Sequence, residues 1–296
     1  CSAVRSAAPA KKRARPDHAL GEAVTTCPHC RMLRLFTTAL FSVFLIVSSG
    51  FAESERTVVL FGDSTTAVRG KLKIYAHHLS EAKFSVGEVK IINAGVGGHN
   101  TDHASARFEK DVREPNPEVV VIQFGINDAA IDVWKRPPAT KSRVALDDYR
   151  ANLRSFVRIL RNDGTTVILM TPNPLRWNKK MKEMYGKPPY DPKAENGLEA
   201  PLLPYVATLR ELADEERVPL VDVHRLFHDY GKVEGQLIDD LLLDGVHPNA
   251  AGHRLVAEAL LPVLQNALSE TALRKPPLAT HRDHPVTPLA PHRIGS

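Results

Sequence analysis

Apolar runs of strand length alternate along the chain with segments whose apolar positions recur at helical spacing. Residues 57–61 (TVVLF), 89–92 (VKII), 119–124 (VVVIQF), 166–170 (TVILM) and 220–223 (LVDV) read as strands. They are rich in Val and Ile and apolar at most positions, the pattern of strands covered on both faces in a parallel sheet. Helical spacing over about 102–113, 147–162, 201–217 and 249–268 sets helices among them. Asp147 and Asn249 are candidate N-caps, and Gly164 stands just past the end of the second helix. The alternation predicts an α/β fold, a three-layer α/β/α sandwich on a doubly wound parallel sheet of about five strands.

In such sheets ligands bind at the carboxyl ends of the strands. The first three strands lead into Gly62-Asp63-Ser64, Asn93-Ala94-Gly95-Val96-Gly97-Gly98 and Gly125-Ile126-Asn127-Asp128. These polar, Gly-rich turns, far apart in sequence, are therefore predicted to meet on one edge of the sheet.

Composition and charge sharpen the picture. With 296 residues, 43% of them hydrophobic and 25% charged, the chain can bury one domain-sized core plus tails. No internal repeat is visible, which excludes solenoids and propellers. The net charge of +5 suggests a nucleic-acid partner until it is located. Residues 1–52 carry 7 Lys and Arg against 2 Asp and Glu, residues 271–296 carry 4 against 1, and residues 53–270 carry 28 against 31. A phosphate-binding domain needs a basic face; the slightly acidic centre predicts no nucleic-acid partner.

Residues 32–52 (MLRLFTTALFSVFLIVSSGFA) read as a secretory signal peptide: arginines, a short apolar run, then small residues before a cleavage point at Ala52. The run from Leu35 to Val47 is shorter than a bilayer span, so a stable membrane anchor is not expected and the product should be secreted or periplasmic. Residues 1–31, Ala- and Arg-rich without apolar period, are then a doubtful upstream extension. Cys1, Cys27 and Cys30 all fall before the cleavage point, so the exported product is expected to lack disulfides and a thiol nucleophile. The fold is expected within 53–270, and 271–296, rich in Pro and His, is expected to be disordered.

The predicted sheet edge holds the parts of an acyl-transfer site. Ser64 is the candidate nucleophile, on a turn between a strand and an expected helix whose N-terminus would favour developing negative charge. A serine in a turn is usually only a cap, so partners decide. They stand in Leu243-Asp244-Gly245-Val246-His247-Pro248-Asn249, where a tight turn can bring the Asp244 carboxylate to one imidazole nitrogen of His247 and leave the other outward as a base. Pro248 keeps His247 out of the helical region. Candidate oxyanion donors are the backbone N–H of Ser64, the backbone N–H of Gly98 and the side-chain amide of Asn127. Asp63 and Asp128 are expected to brace these loops.

Together F-G-D-S-T (61–65), N-A-G-V-G-G (93–98), G-I-N-D (125–128) and D-G-V-H-P-N (244–249) resemble the four blocks of the SGNH (GDSL) hydrolase superfamily, in order across most of 57–265. The resemblance implies a flavodoxin-like fold and a serine esterase of acetylesterase type working without metal or cofactor. Matched motif by motif, it puts the nucleophile on Ser64, the acid and base on Asp244 and His247, and oxyanion donors on Gly98 and Asn127. Gly95, Gly97 and Gly98 compete in the second block; Gly98 ends its N-x-x-x-x-G pattern.

Residues 172–201 are too long for an ordinary connection and should overhang the same edge. They hold Trp177, Tyr185 and Tyr190 among Arg176, Lys179, Lys180, Lys182 and Lys187, a set that suits a sugar, especially an anionic polysaccharide, though equally a packed surface loop. The form G-D-S-T resembles family members that deacetylate plant cell-wall polysaccharides. The expected substrate is therefore an O-acetylated carbohydrate, with a lysophospholipase or thioesterase acting on short acyl chains, or a non-catalytic carbohydrate-binding relative, as the alternatives. A metallophosphoesterase built on Asp63 and Asp128 would need further ligands at matching turns. His77, His78, His99, His103, His224, His228 and His253 have no spacing that by itself predicts a metal site; His99 is expected near the pocket rim, the rest as surface or core residues.

Overall fold

The computed structural model describes residues 56–274. The expected extension 1–31, the signal peptide 32–52, all three cysteines and the tail beyond 274 lie outside the described residues.

Five parallel strands form from the predicted runs: β1 (Arg56–Gly62), β2 (Val89–Gly95), β3 (Val119–Gln123), β4 (Thr166–Met170) and β5 (Leu220–Val221). Their order is β2-β1-β3-β4-β5, so the winding reverses between β1 and β3. That reversal opens a crevice at the carboxyl ends of those two strands, the place where α/β sheets take ligands.

Alternation along each strand builds two cores. Val59, Phe61, Val120, Ile122, Val167 and Leu169 face α2 (Thr101–Phe108), α4 (Leu146–Asn162) and α6 (Leu203–Glu215). Val58, Leu60, Val119, Val121, Ile168 and Met170 face α1 (Tyr75–Ser80), α7 (Val223–Tyr230) and α8 (Ala250–Arg274). Val58 to Phe61 are wholly buried, and each such side chain contributes roughly 1.5–3 kcal/mol. The rigid centre fixes where the strand ends point. Two further short α-helices among the described residues are α3 (Ile126–Ala129) and α5 (Lys179–Tyr185). Among the described residues no helix is long and apolar enough to cross a membrane.

The expected helices appear with shifted ends. The one over about 102–113 is α2 continued by a wider π-turn, Glu109–Arg113. Asp147 is not the cap of α4: Ala145 takes that position, and Asp147 and Asp148 lie in the first turn, where their charge favours the helix dipole. Gly164, at φ +80°, does follow the helix end. Asn249 caps α8, its side-chain oxygen accepting the N–H groups of Ala251 (2.9 Å) and Gly252 (3.1 Å). That helix runs four residues past the expected domain end at 270. The fifth strand stops at Val221 because Asp222 caps α7, accepting the Arg225 N–H.

Candidate active site

β1 ends in a turn rather than a helix. The Asp63 carbonyl accepts the N–H groups of Thr66 (3.2 Å) and Ala67 (3.0 Å), and the first helix begins only at Tyr75. The expected helix N-terminus behind Ser64 is therefore replaced by a single tight turn, whose shape comes from Asp63. Its buried carboxylate accepts the Thr65 N–H and hydroxyl, both at 2.8 Å. Burial pushes the Asp63 pKa up despite those bonds. The neighbouring β2 end is locked to the same turn: the Asn93 amide donates to the Thr66 carbonyl at 2.8 Å, and a Cβ on Gly95 would stand 2.4 Å from the Ala67 nitrogen. Only glycine admits that approach.

Ser64 emerges partly exposed from this turn, its Oγ 3.0 Å from Nε2 of His247. Nδ1 of the same ring is 2.8 Å from Oδ2 and 3.0 Å from Oδ1 of Asp244. A proton on Nδ1, directed at the carboxylate, leaves Nε2 to accept the Ser64 O–H. The Asp244 carboxylate also accepts the N–H groups of Val246 (3.1 Å) and His247 (2.8 Å). Burial alone would raise its pKa, but the hydrogen bonds from His247 and Val246 outweigh burial and hold it below the ordinary range. It stays an anion beside the ring.

The Gly98 and Asn127 positions complete the constellation. Gly98 has φ +78°, with open space where a Cβ would be, and lines the same cavity as Ser64, Asn127 and His247. Gly95 and Gly97 do not line it. The Asn127 amide donates to the His99 carbonyl (3.0 Å) and faces Asp63 (3.4 Å), while its oxygen accepts from Arg143 (2.9 Å). Arg143 is held in turn by Asp132 through a fork of 2.8 and 3.1 Å contacts. Sequence reasoning missed this pair, because an arginine in a loop carries no signal of the asparagine it orients. His99 does not line the cavity: its ring meets Arg107 (3.2 Å) and His103, and only its carbonyl serves the site. Arg107 also donates to the carbonyls of Gly62 (2.8 Å) and Ala94 (2.7 Å), tying the ends of β1 and β2.

Residues 172–201 do overhang this edge. The cavity above Ser64 holds about 370 Å³, and its outer wall comes from Leu175, Met181, Met184, Tyr190, Leu198 and Leu202. Of the basic residues singled out there, Lys180 alone reaches the cavity; Trp177, Lys179 and Lys182 border a separate surface hollow. Trp177 spends its ring N–H on the Ala194 carbonyl, and Tyr190, buried, accepts the Ile131 N–H. The wall is tied to the loop that carries Asp244 and His247. The Arg176 N–H donates to the Gly245 carbonyl (2.7 Å), and the amide of Asn173 donates to the Val246 carbonyl (2.8 Å). Gly245, at φ +75°, brings its backbone so near that a Cβ would stand 2.3 Å from the Arg176 carbonyl oxygen.

Asp128 is fully buried and accepts the Thr101 N–H (2.8 Å) and hydroxyl (2.6 Å), bracing the third turn against α2. Burial, only partly offset by those bonds, pushes its pKa up to about 6. The folded chain then binds more protons here than the unfolded chain between about pH 4 and pH 6, so the ionised carboxylate costs stability above pH 6 and the cost fades as pH falls. At its fullest it is roughly 3 kcal/mol. Asp128→Asn keeps an oxygen for Thr101, and urea unfolding should show its stability relative to the parent improving by about 2 kcal/mol between about pH 4.5 and pH 8. A difference independent of pH would show that Asp128 does not titrate in this range.

The profile of the GDSL-like lipase/acylhydrolase family matches residues 60–255. An uncharacterized lipoprotein of Bacillus subtilis is 31% identical over 238 residues, covering 75% of this chain and 94% of the relative. An acetylxylan esterase of Geobacillus stearothermophilus is 30% identical over 190 residues, covering 63% of this chain and 77% of the relative. The human isoamyl acetate-hydrolyzing esterase 1 homolog is 26% identical over 229 residues, covering 74% and 85%. The crystal structure of the Geobacillus acetylxylan esterase superposes with a TM-score of 0.56 at 26% identity, covering 70% of this chain and 93% of that one.

Proposed function

Because the chain belongs to the GDSL-like lipase/acylhydrolase family, we propose that it is a serine esterase that releases short acyl groups, acetyl foremost, through an acyl-enzyme on Ser64. The observation that carries this reading is the relay from the Ser64 Oγ to Nε2 of His247 (3.0 Å) and from Nδ1 to Asp244 (2.8 Å) at the mouth of a cavity. His247 takes the Ser64 proton as Oγ attacks the ester carbonyl, then gives it to the departing alcohol. Water, deprotonated by the same ring, attacks the acyl-enzyme, and collapse of the second tetrahedral species returns the proton to Ser64. Asp244 keeps the ring's proton on Nδ1 and steadies the imidazolium. The N–H groups of Ser64 and Gly98 receive the oxyanion, joined by the Asn127 amide as it trades its long 3.4 Å contact with Asp63 for the oxyanion and keeps its bond to the His99 carbonyl. Each such donor contributes ~3 kcal/mol in the transition state. The signal-peptide pattern at 32–52 supports action outside the cytoplasm, as does kinship to a protein named a lipoprotein.

The cavity wall favours an ester with an apolar branch. An acetyl group fills little of 370 Å³ lined by Leu, Met and Tyr side chains, and an alkyl group placed there would be desolvated favourably. The name of the isoamyl acetate-hydrolyzing relatives agrees with such a branch. A second reading, an O-acetylated carbohydrate, is supported by the acetylxylan esterase relative. Rates on isoamyl acetate, ethyl acetate and acetylated xylan separate the two. We expect kcat/KM for isoamyl acetate to exceed that for ethyl acetate by about 50- to 200-fold, since the three added carbons are worth roughly 0.8–1 kcal/mol each. Met184→Trp, which narrows the cavity, should erase that margin while sparing ethyl acetate. Acetate release from xylan faster than from isoamyl acetate would favour the carbohydrate.

A further inference from the structure

Behind the cavity wall, three side chains that ester hydrolysis does not use converge on one point. His224 and His228 stand one turn apart on the same face of α7, and Glu199 reaches them from the segment that supplies the wall. Glu199 is 1% exposed and His224 6%. Oε1 of Glu199 lies 2.6 Å from Nε2 of His224 and 3.5 Å from Nε2 of His228, and one donor atom from each residue falls within 4.8 Å of the other two. We propose that Glu199, His224 and His228 form a structural binding site for a divalent transition metal, zinc foremost.

Two imidazole nitrogens and a carboxylate oxygen are the donor set of His₂Glu zinc sites, and histidines at i and i+4 on a helix present both rings to one ion. Zinc bonds of about 2.0–2.2 Å in a tetrahedron set donor atoms some 3.3–3.5 Å apart. The Glu199 to His228 separation already has that value. The Glu199 to His224 pair, joined by a hydrogen bond, would open by under about 1 Å as the bridging proton gives way to the ion. The support is firm on both sides. His224 is pinned by its N–H to the Thr171 hydroxyl (2.9 Å) at the end of β4, and Asp222, which caps the helix, is gripped by Arg210 (2.9 Å). His228, about one-third exposed, offers the entry path and leaves room for a water as fourth ligand. Arg176, the nearby cation, is faced by Glu195 (3.5 Å). The bland alternative is a hydrogen-bonded staple of a buried carboxylate and two rings. It gives the same distances in the empty site, so the two are told apart by binding.

A metal here would clamp the segment between Leu198 and Leu202, which lines the cavity, onto α7. The full chain, treated with chelator and desalted, should take up one equivalent of ZnCl₂ in calorimetry, and CoCl₂ should produce the intense visible absorption of tetrahedral cobalt. Saturating zinc should raise the melting temperature by several degrees, since it binds the folded state. His228→Ala, at a position about one-third exposed, should weaken binding by more than about 100-fold and abolish the zinc-dependent shift. Glu199→Gln should do the same, with its lower melting temperature in the absence of metal reporting any loss of the staple. No uptake by the parent, or uptake unchanged in His228→Ala and so due to histidines elsewhere, would overturn the proposal.

Discussion

Ser64→Ala is expected to lower kcat on p-nitrophenyl acetate by about 10⁴- to 10⁶-fold. Removing Oγ leaves His247 with no alcohol to deprotonate, and water is not held where Oγ stood, so the covalent route closes. The remaining rate comes from the oxyanion donors and from binding, which persist without a nucleophile. The fold should not suffer. Ser64 is only partly buried and its hydroxyl bonds a side chain rather than the core, so the melting temperature should stay within about 2 °C. Stopped-assay kinetics and a thermal melt on the same preparation check both halves. Equal rates in parent and variant would instead identify a binding protein with an inert pocket.

Asp244→Asn is the second large effect, a fall of about 10⁴-fold near neutral pH. The asparagine oxygen can still accept the N–H groups of Val246 and His247, so the turn keeps its shape. Its NH₂ would then point at Nδ1, which must become an acceptor. The ring proton moves to Nε2 and faces the Ser64 oxygen, and the base is lost without any movement of the nucleophile. The native carboxylate carries a linked signature. With a depressed folded pKa, it adds stability at pH values above the unfolded carboxylate range, and that contribution is lost as pH falls through the folded value. Asparagine removes this dependence. Retention of more than about a tenth of the parental rate would show that the tautomer is set by something other than Asp244.

What could be read from the chain alone follows a physical boundary. The strands were legible because Val58 to Phe61 and Val119 to Gln123 are buried on both faces, and burial of that kind demands apolar runs. The sheet edge was legible because Gly-rich turns follow those runs directly. Short helices such as α5 and α7 escaped, since a helix of two turns with one face half-buried has too few periodic positions to stand out. The cap at Ala145 escaped because the backbone can enter a helix without a side-chain acceptor when preceding residues hold it, here through the Val144 N–H to the Asp128 carbonyl (3.1 Å). The apolar wall escaped for a different reason: Leu175, Met184 and Leu202 are spread over 28 residues and share a surface only after folding. Arg143 and the Glu199, His224 and His228 group are likewise products of tertiary placement. Residue types announced the chemistry, and distance had to supply the rest.

Gly245 bears on any attempt to re-engineer which ester is accepted. Its backbone is stitched to Arg176, so the stretch that shapes the cavity and the stretch that carries the imidazole form one mechanical part. Transplanting residues 172–202 from a relative would bring a foreign carbonyl against this glycine and shift the ring relative to the serine. A successful graft should therefore exchange both stretches as a matched pair, and selection for altered substrate range should turn up paired changes on the two sides of that seam.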